Sequence, residues 1–399
     1  RHHRMLNQDL VGLGKKRSTI REIFEYGNAR AKEIGRENIF DFSIGNPNVP
    51  APDAVRRTLL SLVENTDPVA LHGYTSAQGA EPVRAKIAES LNRRFGTAYH
   101  AGSLYMTVGA AAAISICFKA LACSPEDEFI VFAPFFPEYS VFIEKGAGAK
   151  CVIVPPRIED FQIDFDAFAR CLSPRTQAVV VNSPSNPAGA AYSAETLTRL
   201  SALLQEKSAE YGHTIYLISD EPYREIVYDG IALPCPARFY PATLMCYSYS
   251  KSLSLPGERI GYVAVPDVPE FIDLYAAVCG AGRVLGYVNA PSLFQLAAAE
   301  CAGETADLSV YAENRRLLYE GLTAMGYRCV KPDGAFYLFP QTLEPDDRAF
   351  CERAKKYELL LVPGADFGAP GHMRISYCVQ TGQIRRALPL FQKLAEEYQ

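Results

Sequence analysis

Tyr247-Ser248-Tyr249-Ser250-Lys251-Ser252-Leu253-Ser254-Leu255-Pro256-Gly257-Glu258-Arg259-Ile260-Gly261-Tyr262 is the stretch on which the reading of this chain turns. An apolar run, Ala242 to Cys246, leads into it, and a second, Ile260 to Val265, leads out. Lys251 is thus expected at the mouth of a strand, with hydroxyls one and three residues before it and Arg259 eight residues after. A lysine forms a Schiff base with a carbonyl compound once its amine is neutral. Its ordinary pKa of about 10.4 has to be lowered by desolvation or by nearby positive charge, and Arg259 is suited to supply that charge. Arg259 is equally suited to grip an anion bidentately, with Ser248 and Ser250 donating hydrogen bonds to the same anion. A carbonyl compound that carries a phosphate matches this set, and pyridoxal 5′-phosphate (PLP) is such a compound. Alone, Ser-x-Ser-Lys recurs by chance, often as a surface turn.

The remaining chain supplies the context. At 399 residues it exceeds the usual single-core limit, so two domains are expected. Apolar residues at 48% and charged residues at 21% describe a soluble globular chain. A net charge of −5 and the lack of any like-charge block argue against a nucleic-acid partner. The longest apolar runs, such as Ala110 to Phe118, are too short and interrupted to span a bilayer, so no membrane association is expected. Arg1-His2-His3-Arg4 ahead of Met5 reads as an expression remnant rather than a signal peptide. The eleven cysteines are scattered, with no metal-ligand spacing, which suits reduced thiols in the cytoplasm and no metal site.

Along the chain, apolar strands alternate with helical segments. Strands are expected at 128–133, 149–154, 177–181, 214–218 and 244–247, and helices at 53–63, 81–95, 110–122, 164–171 and 193–211. This order predicts an α/β fold with a mainly parallel sheet covered on both faces. In such sheets ligands bind at the carboxyl ends of the strands. Phe136, Asn186, Asp220, Tyr223 and Lys251 all fall there. Asp220 is suited to pair a pyridinium N–H, because a buried carboxylate needs a partner. Asn186 and Tyr223 can donate to a phenolate oxygen, and Phe136 can stack on a ring. Gly109-Ala110-Ala111 opens a helix with small residues, which lets an anion approach the free N–H groups there. Each residue also has a plain reading, as an N-cap, a turn former or core; the case lies in their shared location.

These motifs together resemble the class I/II aminotransferases, fold-type I PLP enzymes. The resemblance runs from about Phe40 to the C-terminus and rests on Gly45-Asn46-Pro47, Tyr74, Gly109-Ala110-Ala111, the Asn182 to Gly189 segment, Asp220-x-x-Tyr223, Ser248-x-Ser250-Lys251, Arg259 and Met373-Arg374-Ile375-Ser376. It implies a seven-stranded, three-layer α/β/α domain over 48–290. A smaller α+β domain would be built from 5–47 and 291–399. It further implies that Lys251 carries PLP as the internal aldimine and moves the substrate proton, while Asp220 pairs the pyridine nitrogen. Asn186 and Tyr223 would hold the ring oxygen, Phe136 would stack on the ring, and Gly109, Ala110, Ala111, Ser248, Ser250 and Arg259 would form the phosphate cup. Tyr74 would reach the phosphate of a neighbouring subunit, making a homodimer with shared sites. Arg374, helped by Gly45 and Asn186, would clamp the α-carboxylate. Ala110 and Ala111 lack hydroxyls common in relatives, and Phe136 replaces the more usual Tyr or Trp.

The implied reaction is transamination between an L-amino acid and a 2-oxo acid by a ping-pong route. A carbon–sulfur β-lyase is the alternative on the same fold. A PLP-sensing regulator would need a basic DNA-binding domain, and none is legible. Arg283, in what reads as a Gly-rich loop over 279–286, is a candidate for reading a substrate side chain or for serving the partner's site. Arg374 specifies only an α-carboxylate, so dicarboxylic, small, sulfur-containing and aromatic substrates all stay open.

Overall fold

The computed structural model describes residues 5–16 and 18–399; the four residues read as an expression remnant lie outside the described residues. Its strands are β1 (Phe40–Asp41), β2 (Leu104–Thr107), β3 (Glu128–Phe132), β4 (Lys150–Val154), β5 (Thr176–Asn182), β6 (Tyr216–Asp220), β7 (Thr243–Ser248), β8 (Gly261–Ala264), β9 (Tyr337–Leu338), β10 (Leu359–Leu360), β11 (Val362–Pro363) and β12 (Met373–Ser376). The chain divides into two compact units.

The larger unit comprises Pro47–Ala312 and Val330–Ala335. It holds the seven-stranded sheet, in the order β2-β8-β7-β6-β5-β3-β4. All neighbouring pairs are parallel except the two made by β8, which runs against both β2 and β7. The mainly parallel α/β expectation therefore holds. Continuous apolar runs such as Ala178–Val181 form because the middle of the sheet is covered on both sides. Along β2, β7 and β8 the alternating residues part into two cores. Tyr105, Cys246 and Val263 join one, with Ile114 and Phe118 of the helix Ala110–Leu121. Met106, Met245, Tyr247 and Tyr262 join the other, with Val83 and Ile87 of the helix Glu81–Phe95. Period-two alternation along a strand produces this division.

One expected element is corrected. Within the expected 279–286 loop, residues 279–284 are helical and only Leu285 and Gly286 lie in the turn that follows: the helix Phe271–Val284 runs through Gly280 and Gly282, and Arg283 stands in its last turn. Glycine weakens a helix interior, but a Cβ at Gly282 would collide with the Tyr105 hydroxyl on β2. Close packing of this helix on the sheet demands the glycine, a demand that no local pattern announces.

The smaller unit comprises the described residues up to Asn46, with Glu313–Cys329 and Phe336–Gln399. Its three-stranded antiparallel sheet has the order β11-β12-β9, and β1 pairs in parallel with β10. The helix Thr19–Ile34 starts at Ser18, whose hydroxyl caps Arg21 N, and ends at Gly35. The helix Thr381–Glu396 packs an amphipathic face through Ile384, Phe391 and Leu394.

Candidate active site

Register across β5, β6 and β7 aligns Asn182 with Asp220 and Asp220 with Cys246. The carboxyl ends of three parallel strands thus form one row, where the backbone leaves the sheet. Asn182 Nδ2 donates to the Asp220 carbonyl at 2.9 Å, and Asn182 Oδ1 accepts from Asn186 N at 2.7 Å. These two bonds fold the Asn182–Gly189 segment back over the row. A cavity of about 190 Å³ opens there, and Ala110, Ala111, Phe136, Asn186, Asp220, Tyr223, Ser248, Ser250, Lys251 and Arg259 all help to line it. Ten residues singled out from six separate segments meet in one place.

Asp220 dominates the electrostatics. Its side chain is buried, and Oδ2 accepts from the Tyr139 hydroxyl at 2.5 Å while Oδ1 has no partner. Burial pushes its carboxyl up to about 7, partly offset by the Tyr139 bond and reinforced by the neighbouring Glu221 charge. Burial, then the same carboxylate, pushes the Tyr139 phenol well above its ordinary value. Tyr139 is the site residue that sequence reasoning missed. Its signal was its place three residues after Phe136, one helical turn on, and the two rings meet edge to face at 5.6 Å.

The Lys251 end is built by capping. Ser248 ends β7 and caps the short helix Tyr249–Ser252, accepting from Ser250 N at 3.0 Å; the two serine hydroxyls lie 2.6 Å apart. Lys251 is half-buried, its Nζ 5.7 Å from the centre of the Tyr223 ring.

Opposite lies the start of the helix Ala110–Leu121, with Gly109 before it at φ +100°. A Cβ at Gly109 would stand 2.5 Å from Arg259 Nη2, so glycine is needed both for the backbone angle and for the guanidinium. Arg259 itself adopts φ +54°, its Nη1 donating to the Pro256 carbonyl at 3.0 Å. The start of this helix, Ser248, Ser250 and Arg259 line the same cavity, a donor set that would cradle an anion.

A phosphate-bearing pyridine aldehyde fits this donor set. The cradle would take its phosphate, Lys251 its aldehyde, and the partnerless Asp220 Oδ1 its ring N–H. The chain matches the family described as aminotransferase class I and II over residues 37–389. It belongs to that family. The aspartate/prephenate aminotransferase of Thermus thermophilus is 31% identical over 377 residues, covering 92% of this chain and 94% of that protein. A crystal structure of an aminotransferase from Eubacterium rectale is 57% identical, with a TM-score of 0.97 over 98% of this chain and 99% of that one. The Thermotoga maritima aspartate aminotransferase structure is 26% identical, with a TM-score of 0.86 over 96% and 98% of the two chains.

This fold-type I aminotransferase is therefore PLP-dependent, and the β-lyase alternative is not favoured, since these relatives are aminotransferases. Of the remaining predicted residues of the aminotransferase, Gly109, Tyr74 and Arg283 belong to the larger unit but do not line the cavity. Tyr74 is 90% exposed in its loop, and Arg283 is exposed at its helix end. Gly45 and Arg374 belong to the smaller unit, where Arg374 is buried on β12. Its Nη2 donates to the Ser43 carbonyl at 2.5 Å, and its guanidinium lies 4.7 Å from the Tyr337 ring centre. Among the described residues no helix is long and apolar enough to cross a membrane, and no cluster of His, Cys, Asp or Glu could hold a metal ion.

Proposed function

We propose that the aminotransferase passes the amino group of an L-amino acid to a 2-oxo acid in two half-reactions that share the cavity around Lys251. The observation that carries this reading is the buried, partnerless Asp220 Oδ1 in the same wall as Lys251. When bound, PLP supplies an aldehyde for the lysine amine and an electron-accepting ring. Asp220 Oδ1 would accept the ring N–H and keep it protonated. Asn186 and Tyr223 would donate to the ring oxygen, and Phe136 would cover a ring face. Gly109, Ala110, Ala111, Ser248, Ser250 and Arg259 would hold the phosphate. Lys251 Nζ would remove the proton from the substrate Cα and hold it for return. Arg374, with Gly45 and Asn186, takes the α-carboxylate, for which a guanidinium fork is well matched.

The assembly proposed is a homodimer in which Tyr74 serves the second copy's phosphate. Its support is the exposed apolar set Leu60, Val63, Val69 and Tyr74, which a second chain would cover. Light scattering tests it. The eleven free cysteines suit a reducing, cytoplasmic setting. The relatives named aspartate aminotransferase make aspartate with 2-oxoglutarate the first pair to assay. The apolar wall of Ala111, Ile114, Phe136 and Phe142 makes neutral donors the second, in a panel that also covers Arg283→Ala.

The deciding experiment is borohydride reduction of the PLP-loaded protein followed by peptide mass spectrometry. A pyridoxyl adduct on Lys251, absent in Lys251→Ala together with turnover, is expected. An adduct elsewhere, or full activity in Lys251→Ala, sinks the assignment. One amino acid added without an oxo acid should bleach the chromophore stoichiometrically; continuous release of pyruvate and ammonia would refute transamination.

A further inference from the structure

The cavity uses one face of the sheet, and a buried cluster of charge that the reaction does not touch lies on the other. Along β7, Cys246 and Ser248 belong with the cavity face, and Met245 and Tyr247 with the opposite core. The Arg224 side chain, 5% exposed, lies in that opposite core. Its guanidinium carbon is 3.8 Å from the centre of the Tyr247 ring, and Nη2 donates to the Tyr262 hydroxyl at 2.7 Å. Nε stands 3.4 Å from Glu225 Oε1, and Nη1 3.7 Å from Glu221 Oε1. Glu225 Oε1 also accepts from the Tyr247 hydroxyl and, at 3.2 Å, from Arg94 Nη1. The Tyr247 hydroxyl in turn lies 2.7 Å from Ser252 Oγ.

Every one of these residues except Arg94 and Tyr262 adjoins or nearly adjoins a cavity residue in sequence. Glu221 follows Asp220, Arg224 follows Tyr223, Tyr247 precedes Ser248, and Ser252 follows Lys251. Tyr262 sits three residues beyond Arg259, directly across from Tyr247 in the β7–β8 ladder. A single guanidinium therefore ties together the backs of the segments that present the cavity's working groups. Burying such ions is costly, and apolar residues of the same volume are often at least as stabilising. What a directional cluster adds is a fixed geometry.

We propose that Arg224 is a positioning residue for the reaction: through Tyr247 and Ser252 on one side and its own backbone on the other, it sets where Lys251 Nζ and the Tyr223 hydroxyl stand in the cavity. This rests on Lys251 as the cofactor-bearing lysine. Three variants separate positioning from mere support. Arg224→Met removes the charge, Arg224→Lys keeps charge without the fork, and Tyr247→Phe keeps the ring under the guanidinium but removes the link to Ser252.

Tyr247→Phe is expected to stay folded, with the pH midpoint of the bound-cofactor absorbance moved by about half a unit or more. Its kcat should fall about tenfold while KM stays within about twofold, the pattern of a group that acts in the transition state. Arg224→Lys should lie between wild type and Arg224→Met in both readouts. Tyr247→Phe decides the matter where Arg224→Met does not fold. An unmoved midpoint and kcat in Tyr247→Phe, with the Lys251 adduct intact, overturns the positioning role alone. Absence of the adduct in the wild type overturns the Lys251 assignment and this inference with it.

Discussion

The Tyr139 hydroxyl donates to Asp220 Oδ2 at 2.5 Å, from a residue 81 positions earlier in the chain, and leaves Oδ1 without a partner. One carboxylate oxygen is held, and the other is buried without a donor, in a residue that lines the cavity. The bond also restrains the upward drift that burial imposes on the Asp220 carboxyl.

Tyr139→Phe removes that restraint without changing the ring. Asp220 should then hold its proton to higher pH and accept a ring N–H less well. Loss of a hydrogen bond to a charged group costs about 1.5–3 kcal/mol, so PLP affinity should drop by about tenfold or more near neutral pH. Absorbance titration of the apoprotein measures it. Unchanged affinity would show the bond to be incidental.

Asp220 makes apoprotein stability depend on pH. Its folded value, about 7, lies above the unfolded value of 3.8. The folded state therefore binds the proton more tightly, and stability is highest below the unfolded value. That stability is lost as pH rises from about 4 through about 7, by up to about 4 kcal/mol. The apoprotein should melt lower at pH 8 than at pH 5, after correction by the Asp220→Asn variant, which lacks this contribution. Parallel pH curves for the two proteins would contradict the assignment.

Gly109→Ala places a methyl group against the Arg259 guanidinium and forces a side chain onto a φ of +100°. Strain of this kind costs about 1–3 kcal/mol. PLP affinity should fall by about ten- to a hundredfold, and competition by inorganic phosphate should weaken in parallel. A variant that binds phosphate as well as wild type would remove Gly109 from the cradle.

Gly282→Ala tests the helix correction apart from chemistry. Its Cβ would strike the Tyr105 hydroxyl, and overpacking of this sort costs about 1–3 kcal/mol. The melting midpoint should fall while the cofactor spectrum stays unchanged. A more stable variant, as expected for a glycine in an open helix, would contradict the packing described.

Much of the cavity was legible in the sequence. Asp220 and Lys251 follow apolar strands whose ends are marked by polar and turn-forming residues, and both signals are local. Tyr139 was not legible as a partner of Asp220, because a tyrosine in an aromatic-rich turn looks like core until β6 is brought beside it. The Phe271–Val284 helix was hidden for a related reason. Gly280 and Gly282 argue locally against a helix, and the force that overrides them is contact with Tyr105 on a strand far away in the chain.

By itself, the sequence determined the alternation of buried strands with helices, the family, and the identity of most groups that meet in the cavity. Each of these follows from short-range patterning, since a strand's apolar run and a helix's cap are written within a few residues. The tertiary structure alone decided which oxygen of Asp220 is left open, why Gly109 and Gly282 must lack side chains, and that Arg224 is sealed behind the sheet among Tyr247, Tyr262 and Glu225. Those are distances between residues remote in the chain, set by strand register and packing, and no local stretch of residues contains them.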